Sequence, residues 1–166
     1  MSARGRARYR LAVVLVLLVV MHFSVRRFLG DNRIAPDFLL LALLLYAIRA
    51  TPGRASVAGF LVGLLTDALT PDAFGSAALA HTVVGYLSAW AKAVFFAENL
   101  VVSAGFFFGG AWIRDLLVLL AGGHAAGSTF LYQMLVWTPL KALTTASLGV
   151  VVLLTFRRWL DVRVVE

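Results

Sequence analysis

The chain has 166 residues, of which 61% are apolar and 14% are charged, and its formal net charge is +7. Average soluble proteins contain roughly 45–50% apolar and about 25% charged residues, so this composition excludes an ordinary soluble domain and predicts an integral membrane protein. The chain has no cysteine, which excludes disulfides, thiol catalysis and thiolate metal sites. The basic residues lie mainly at the ends of apolar segments, where anionic headgroups and membrane topology explain them better than nucleic acid does.

Six apolar segments are candidates for membrane helices, since one crossing needs about 20 residues. We predict them at 9–25, 34–48, 55–70, 77–97, 100–121 and 129–156, between a basic tail of residues 1–8 and a second tail of residues 157–166. The predicted fold class is an all-α integral membrane protein with six transmembrane helices. Six crossings leave only short loops among these residues, so function must use the helices, their ends or the basic tail.

The first and last segments need separate arguments. The first follows a basic stretch, as in a signal peptide, but it lacks a small-residue cleavage site and further apolar segments follow, so we expect an uncleaved membrane helix. The last segment contains Pro139, which removes a backbone donor and predicts a tilt or kink. A re-entrant segment at 129–138 is the alternative.

Loop charge predicts the orientation in the membrane. With the N-terminus inside, ten basic residues lie on the cytoplasmic side and three lie outside. Because cytoplasmic loops carry an excess of Lys and Arg, both termini are predicted to be cytoplasmic. The basic tail is then placed to bind anionic lipid, at about 1 kcal/mol per basic residue near the surface.

A stripe of small residues follows one face of the third segment. Ala55, Gly59, Gly63 and Asp67 recur at a spacing of four, which places them on one side of a helix. Small residues at this spacing let another helix approach closely, so Asp67 is expected to face protein. In the fifth segment Gly105 and Gly109 repeat the spacing, and helix packing is again the expected role.

The most costly residue is Arg114 in the fifth segment, since a charge near the bilayer centre costs a few kcal/mol on insertion scales. Asp115 is adjacent in sequence and is expected to face away. By helical rise Asp67 and Arg114 lie at similar depths, roughly 18 and 21 Å from the starts of their segments. We therefore predict a structural Asp67–Arg114 ion pair. Other polar groups are expected at the same outer side: Asp37, His81 and His22.

Catalysis is a weaker alternative for these residues. Asp67, Asp72 and His81 could hold a divalent metal or act as acid and base, but their spacing matches no known metal signature. For Asp72 a capping or turn role is the stronger expectation. We expect no metal and no cofactor. For Lys141 two roles stay open: it binds carbonyls freed by the proline kink, or it pairs with an acid from a partner chain.

The order of several motifs resembles the MreD family of bacterial rod-shape-determining proteins. They are Pro36-Asp37-Phe38-Leu39-Leu40 at the start of the second segment, an Arg-rich turn between Arg49 and Arg54, Gly59-Phe60-Leu61-Val62-Gly63-Leu64-Leu65-Thr66-Asp67, and Gly75 followed by Ala78-Leu79 and Gly85-Tyr86. These motifs cover residues 36–86. The C-terminal half resembles the family only in hydropathy.

The resemblance implies a scaffold of the bacterial inner membrane without catalytic residues. Its implied partners are the bitopic protein MreC, the elongation glycosyltransferase and transpeptidase, and the actin-like MreB filament, contacted directly or indirectly. The implied fold is similar to the membrane substrate-binding subunit of energy-coupling-factor vitamin transporters. A vitamin-binding transporter subunit is therefore the second functional hypothesis, and a small intramembrane enzyme is the third.

Overall fold

A computed structural model describes residues 3–25, 28, 33–69, 73–95, 99–123 and 128–160. These residues form helices and their connections, with no strand among them. The helices are α1 Ala3–Ser24, α2 Phe38–Ala47, α3 Pro52–Leu69, α4 Ser76–Phe95, α5 Leu100–Ala121, α6 Ser128–Tyr132 and α7 Thr138–Leu160, with a π-helical turn at Gln133–Trp137 between α6 and α7.

The last three of these elements form one helical rod. Helix α6, the π-helical turn and α7 follow one another without a non-helical residue, so this rod corresponds to the single segment predicted at 129–156. The re-entrant alternative at 129–138 is therefore wrong. The N–H of Thr138 bonds to the carbonyl of Gln133, five residues back. The irregularity expected at Pro139 is thus a widened turn directly before the proline, which has no N–H to continue the hydrogen bonding.

Helix α2 occupies the centre of the bundle. Nine of its ten residues are buried, and it contacts α1, α3, α4, α5 and α7. An apolar helix with no polar face is stable only where other helices surround it. Ten residues span about 15 Å, half of a hydrocarbon core of about 30 Å. The segment predicted at 34–48 is therefore completed by non-helical chain before Phe38.

Helices α3 and α4 pack closely because glycines lie at their contact. A Cβ added at Gly59 would overlap the carbonyl oxygen of His81, and one at Gly63 would overlap the backbone of Ala77 and Ala78. On α4, a Cβ at Gly85 would lie 2.5 Å from the carbonyl oxygen of Ala55. The stripe that includes Ala55, Gly59, Gly63 and Asp67 is buried along its whole length. Backbone packs directly on backbone along this contact.

The glycines of α5 lie in a different environment. A Cβ at Gly105 or Gly109 would meet nothing within 4 Å, whereas one at the neighbouring Gly110 would meet the Leu44 side chain. No helix of the described chain therefore packs closely on Gly105 and Gly109. The packing role expected for these two residues is not fulfilled within the described residues.

The outer surface of the bundle is apolar. Large side chains with exposures of 40% or more occur on most helices; they include Val16 and Val20 on α1, Leu61 and Leu65 on α3, and Leu143 and Val151 on α7. Such continuous apolar exposure is untypical of soluble monomers, and lipid accounts for it. Within the described residues, Leu100–Ala121 and Phe130–Phe156 are long and apolar enough to cross a membrane by length and composition.

The other four predicted segments do not meet that standard. Tyr9–Ser24 and Phe38–Ala47 are apolar but shorter, while α3 and α4 are rich in Gly, Ala, Ser and Thr, which lowers their hydropathy. These small residues suit helix contacts, where close approach matters more than apolar volume. The structure is therefore that of an all-helical membrane protein in which two of the six predicted spans are identified by hydropathy.

We expect Gly59→Ala and Gly63→Ala each to lower the unfolding temperature in detergent, because the added methyl group overlaps backbone atoms that cannot move independently of α4. Overpacking of this kind costs about 1–3 kcal/mol. Gly53→Ala is the matched control, since a Cβ at Gly53 meets nothing within 4 Å. Equal unfolding temperatures for all three variants, measured by circular dichroism, would contradict this account of the α3–α4 contact.

Candidate functional site: a buried ionic cluster and an adjoining cavity

The candidate site lies where the start of α2 meets α5 and α7. Asp37 is the N-cap of α2: its Oδ1 accepts a hydrogen bond from the N–H of Leu40 at 3.0 Å. The Asp37 N–H donates to Thr145 Oγ1 on α7 at 3.1 Å, and Thr144 Oγ1 donates to the carbonyl of Ile34 at 2.7 Å. Non-helical backbone is tolerated at membrane depth only where protein satisfies its polar groups. Thr144 and Thr145 of α7 satisfy the polar backbone groups of the non-helical residues that precede α2.

Arg114 of α5 lies between two carboxylates. Its Nη2 pairs with Oδ2 of Asp37, and its Nη1 lies 2.8 Å from Oδ1 of Asp115. Arg114 is 5% exposed and Asp37 is 3% exposed, so the pair is almost completely buried. The cost of a buried guanidinium is thereby offset by two opposite charges in direct contact.

The predicted ion pair between Asp67 and Arg114 is wrong. Depth along each helix correctly placed acids at about the same membrane depth as Arg114. It could not show which helix faces Arg114. The expectation that Asp115 faces away is wrong as well: neighbouring helical residues diverge by about 100°, but the long arginine side chain reaches back to the adjacent carboxylate.

Lys141 joins the same cluster. Its Nζ lies 3.6 Å from Asp115 Oδ1, so Lys141 meets an acid of its own chain, a contact that neither of the two expected roles included. The Lys141 carbonyl accepts hydrogen bonds from the hydroxyls of Thr144 and Thr145. His22 of α1 approaches as well, with Nδ1 4.0 Å from Asp37 Oδ1. Residues of α1, α5 and α7 thus meet the N-cap of α2 in one ionic cluster, defined as His22, Asp37, Arg114, Asp115 and Lys141.

Asp67 instead caps α4. Its two carboxylate oxygens accept hydrogen bonds from the N–H groups of Ala77 at 3.0 Å and Ala78 at 2.9 Å. The residue preceding α4 is Gly75, whose φ of 96° suits glycine and which has no side chain to cap the helix. A carboxylate from α3 therefore does the work of an N-cap side chain and also faces the positive end of the helix dipole.

Two of the three residues of the catalytic alternative, Asp67 and His81, lie in the described chain, and both contact the backbone of Ala77. His81 is fully buried; its Nδ1 lies 2.8 Å from the carbonyl of Ala77, and its Nε2 has no hydrogen-bond partner among the described residues. Asp72 lies outside the described residues. No group of three His, Cys, Asp or Glu side chains that could hold a metal occurs in the described part of the chain.

A cavity of about 420 Å³ adjoins the ionic cluster. Its polar lining includes Arg33, Arg114, Asp115, Gln133 and Lys141, and Tyr132, Trp137 and Thr138 also line it. The guanidinium of Arg33 lies 5.3 Å from the centre of the Trp137 ring. Arg33, Gln133 and Thr138 could not be identified as site residues from the sequence. The only sequence signals were the proximity of Gln133 and Thr138 to Pro139 and the place of Arg33 among the three basic residues predicted to lie outside.

The motif residues fall at three structural positions. Pro36 and Asp37 form the entry to α2; Gly59, Gly63, Asp67 and Gly85 lie in the α3–α4 contact; and Gly75 precedes α4. Tyr86 is half-exposed on α4. Most of the motif therefore serves the architecture of α2, α3 and α4.

Fold and site together define a class: a helical membrane protein whose polar core is an internal ionic cluster and whose small-residue motifs join its helices. The chain belongs to the MreD family, since the family model for "rod shape-determining protein MreD" matches residues 6–161. The match extends well beyond the motifs at 36–86 and includes α5 and α7. Comparison with curated proteins and with solved structures gave no match. Membership of the family gives this protein a role in determining rod shape.

A double-mutant cycle tests the ion pair. We expect Asp37→Asn and Arg114→Gln to show a coupling of at least about 1 kcal/mol in the free energy of unfolding, because the two side chains are in contact. Asn keeps the N-cap function of position 37, so the cycle isolates the charge. Asp67→Asn with Arg114→Gln is the matched control, with effects that add within about 0.5 kcal/mol. Coupling in the second cycle and none in the first would overturn the assignment.

Removing the carboxylate of Asp67 should loosen α4. We expect Asp67→Ala to lower the free energy of unfolding by about 2 kcal/mol, at the upper end of measured capping effects, since two N–H groups lose their acceptor. Asp67→Asn keeps one acceptor oxygen and should lose less. Hydrogen exchange at the amides of Ala77 and Ala78 is the measurement; unchanged protection in Asp67→Ala would show that water or another group caps α4.

Proposed function

We propose that this protein is a non-catalytic scaffold of the machinery that elongates rod-shaped bacterial cells, and that it binds an MreC-like bitopic membrane protein. Through that partner it helps to organise the glycosyltransferase and transpeptidase of peptidoglycan synthesis with the MreB filament. Family membership carries this proposal. The elongation machinery works at the bacterial inner membrane, which is therefore the proposed location.

The proposed topology follows from charge. With both termini in the cytoplasm, the ionic cluster and the cavity lie in the half of the bundle nearer the outside, and the basic start of α1 lies at the cytoplasmic leaflet. Helix α1 begins at Ala3, so part of the basic tail is helical, and the exposed side chains of Arg6 and Arg10 are placed to meet anionic lipid. No nucleic-acid partner is proposed.

The contacts of Asp67 and Arg114 support a structural role for these two residues. Both oxygens of Asp67 accept backbone hydrogen bonds, and Arg114 is paired with Asp37 and Asp115. Side chains held in this way orient helices and are poorly placed to act as acids, bases or nucleophiles. The enzyme hypothesis therefore gains no support from these residues.

The open glycines of α5 offer a place for the partner helix. Gly105 and Gly109 lie in a shallow apolar groove of about 120 Å³ between α4 and α5, which Leu87, Ala91 and Ile113 also line. Small residues let two membrane helices approach closely, and here no helix of the described chain does so. We propose that the membrane helix of the MreC-like partner occupies this groove.

Filling the groove tests the proposed interface. We expect Gly105→Leu with Gly109→Leu to reduce the MreC-like partner recovered with the tagged protein from native membranes by at least about tenfold, equivalent to about 1.4 kcal/mol. The unfolding temperature should not fall, because the new side chains meet no atom of this chain near Cβ. Gly53→Leu is the control. Full recovery of the partner with the filled groove would exclude this interface, and recovery of an ATP-driven transporter pair in its place would exclude the scaffold function.

A substrate-binding subunit of a vitamin or small-solute transporter is the second candidate function. One observation favours it: the 420 Å³ cavity lies on the proposed outer side, where such a subunit would receive its solute. Its size is within the range of small-molecule sites, about 300–1,000 Å³. A tight solute copurifying with the isolated chain would favour this function over the scaffold.

A further inference from the structure

The cavity beside the ionic cluster has an excess of positive charge. Among the described residues, three basic side chains line it, those of Arg33, Arg114 and Lys141, together with one acidic side chain, that of Asp115. A cleft lined mainly by one sign of charge attracts ligands of the opposite sign, so this lining favours an anion.

The hydrogen-bonding capacity of the cluster is also not exhausted. Arg114 uses its two terminal nitrogens on Asp115 and Asp37, but its buried Nε has no hydrogen-bond partner among the described residues. Around the cavity, Gln133, Tyr132 and Thr138 add neutral groups that can donate hydrogen bonds. Arg and Lys together with such donors form the usual protein environment for phosphate oxygens.

The backbone at the cavity departs from regular helix. The π-helical turn Gln133–Trp137 supplies two of the lining residues, Gln133 and Trp137, at its ends. Short π-helical stretches within α-helices occur frequently at functional sites, where the extra residue redirects side chains. The π-helical turn is an observation independent of the charges, and it borders the same cavity.

The surroundings of the cavity match the headgroup level of a bilayer. Tyr132 and Trp137 line it, and such aromatic residues are enriched where the membrane meets water. On the same helical rod Leu131, Leu135 and Leu140 are 57%, 72% and 45% exposed, which gives acyl chains an apolar surface beside the polar cavity. A ligand with a charged head and an apolar tail would be in contact with both.

We propose that this cavity is a binding site for a phosphate group, and that a membrane lipid with an anionic phosphate headgroup is its ligand. The phosphate lies between Arg33 and Lys141, in the field of Arg114, while the acyl chains lie along the exposed leucines. Asp115 pairs with both Arg114 and Lys141 and so holds these two cations beside the cavity. This site goes beyond the scaffold function, and either proposal can fail without the other.

The experiment compares ligands that share the phosphate but differ in source. The purified full chain in detergent is titrated with short-chain phosphatidylglycerol, with zwitterionic short-chain phosphatidylcholine and with inorganic phosphate. Dissociation constants are measured from the ligand-induced rise in unfolding temperature. A salt concentration of about 0.15 M screens exposed charges over roughly 8 Å and suppresses nonspecific surface attraction.

Charge-neutralising variants locate the site. Arg33→Gln with Lys141→Gln should weaken phosphatidylglycerol binding at least tenfold. Arg49→Gln with Arg54→Gln removes the same charge from two exposed positions at the opposite end of the bundle and should change it less than twofold. The single variant Arg33→Gln, at an exposed residue, should still weaken binding severalfold and decides the question if the double variant does not fold.

The outcomes separate the possibilities. Tight phosphatidylglycerol binding that depends on Arg33 and Lys141, with weak phosphatidylcholine binding, supports the lipid site. Equally tight binding of inorganic phosphate with the same dependence supports the phosphate site and overturns the lipid as its ligand. Equal binding of both lipids, or equal losses in the cavity and control variants, overturns the site. Partner recovery from membranes is a separate measurement, so loss of lipid binding with a retained MreC-like partner leaves the scaffold function standing.

Discussion

The contact of Arg114 with Asp37 is the constraint on which the arrangement of the bundle depends. Arg114 lies in α5, one of two helices in the described part of the chain that are long and apolar enough to cross a membrane. Its charge is acceptable there only if carboxylates face it. Asp37 supplies one of these carboxylates and also caps α2. The backbone just before α2 is in turn held by hydrogen bonds to Thr144 and Thr145 of α7. A single electrostatic requirement thus fixes the short central helix against α5 and α7.

The other half of the bundle is held by close approach of backbones. Between α3 and α4 the glycines remove side-chain volume, and Asp67 replaces the capping side chain that Gly75 lacks. Within lipid there is little hydrophobic driving force between helices, so close packing and satisfied polar groups provide the stability. The two devices together leave apolar side chains on the outside, an open glycine groove on α5 and a basic cavity beside α7. For these two surfaces we propose different neighbours, a partner helix in the groove and a lipid headgroup in the cavity.

Several elements could be predicted from the sequence because the physics is local. Segment hydropathy located α5 with the bounds 100–121, and the spacing of Ala55, Gly59 and Gly63 identified the face of α3 that is buried. The identification of the ion pair failed for a definite reason. Depth along a helix follows from residue number, but the rotation and neighbour of each helix do not, and both Asp67 and Asp37 lay near the required level. The π-helical turn was missed because its hydrogen bonds depend on how the whole rod packs.

The amino-acid sequence was enough to predict an all-helical membrane protein, to show that Arg114 needs an acid, and to show that the motifs at 36–86 resemble the MreD family. Composition, helical periodicity and the energetic cost of burying a charge are properties of single segments. They can therefore be evaluated without knowing which helices are neighbours. The packed helices were needed to show that Asp37 and Asp115 are the acids, that Asp67 caps α4, and that Arg33 and Lys141 line the cavity beside Arg114. Those choices depend on which helices become neighbours, and that is settled by the packing of the whole bundle.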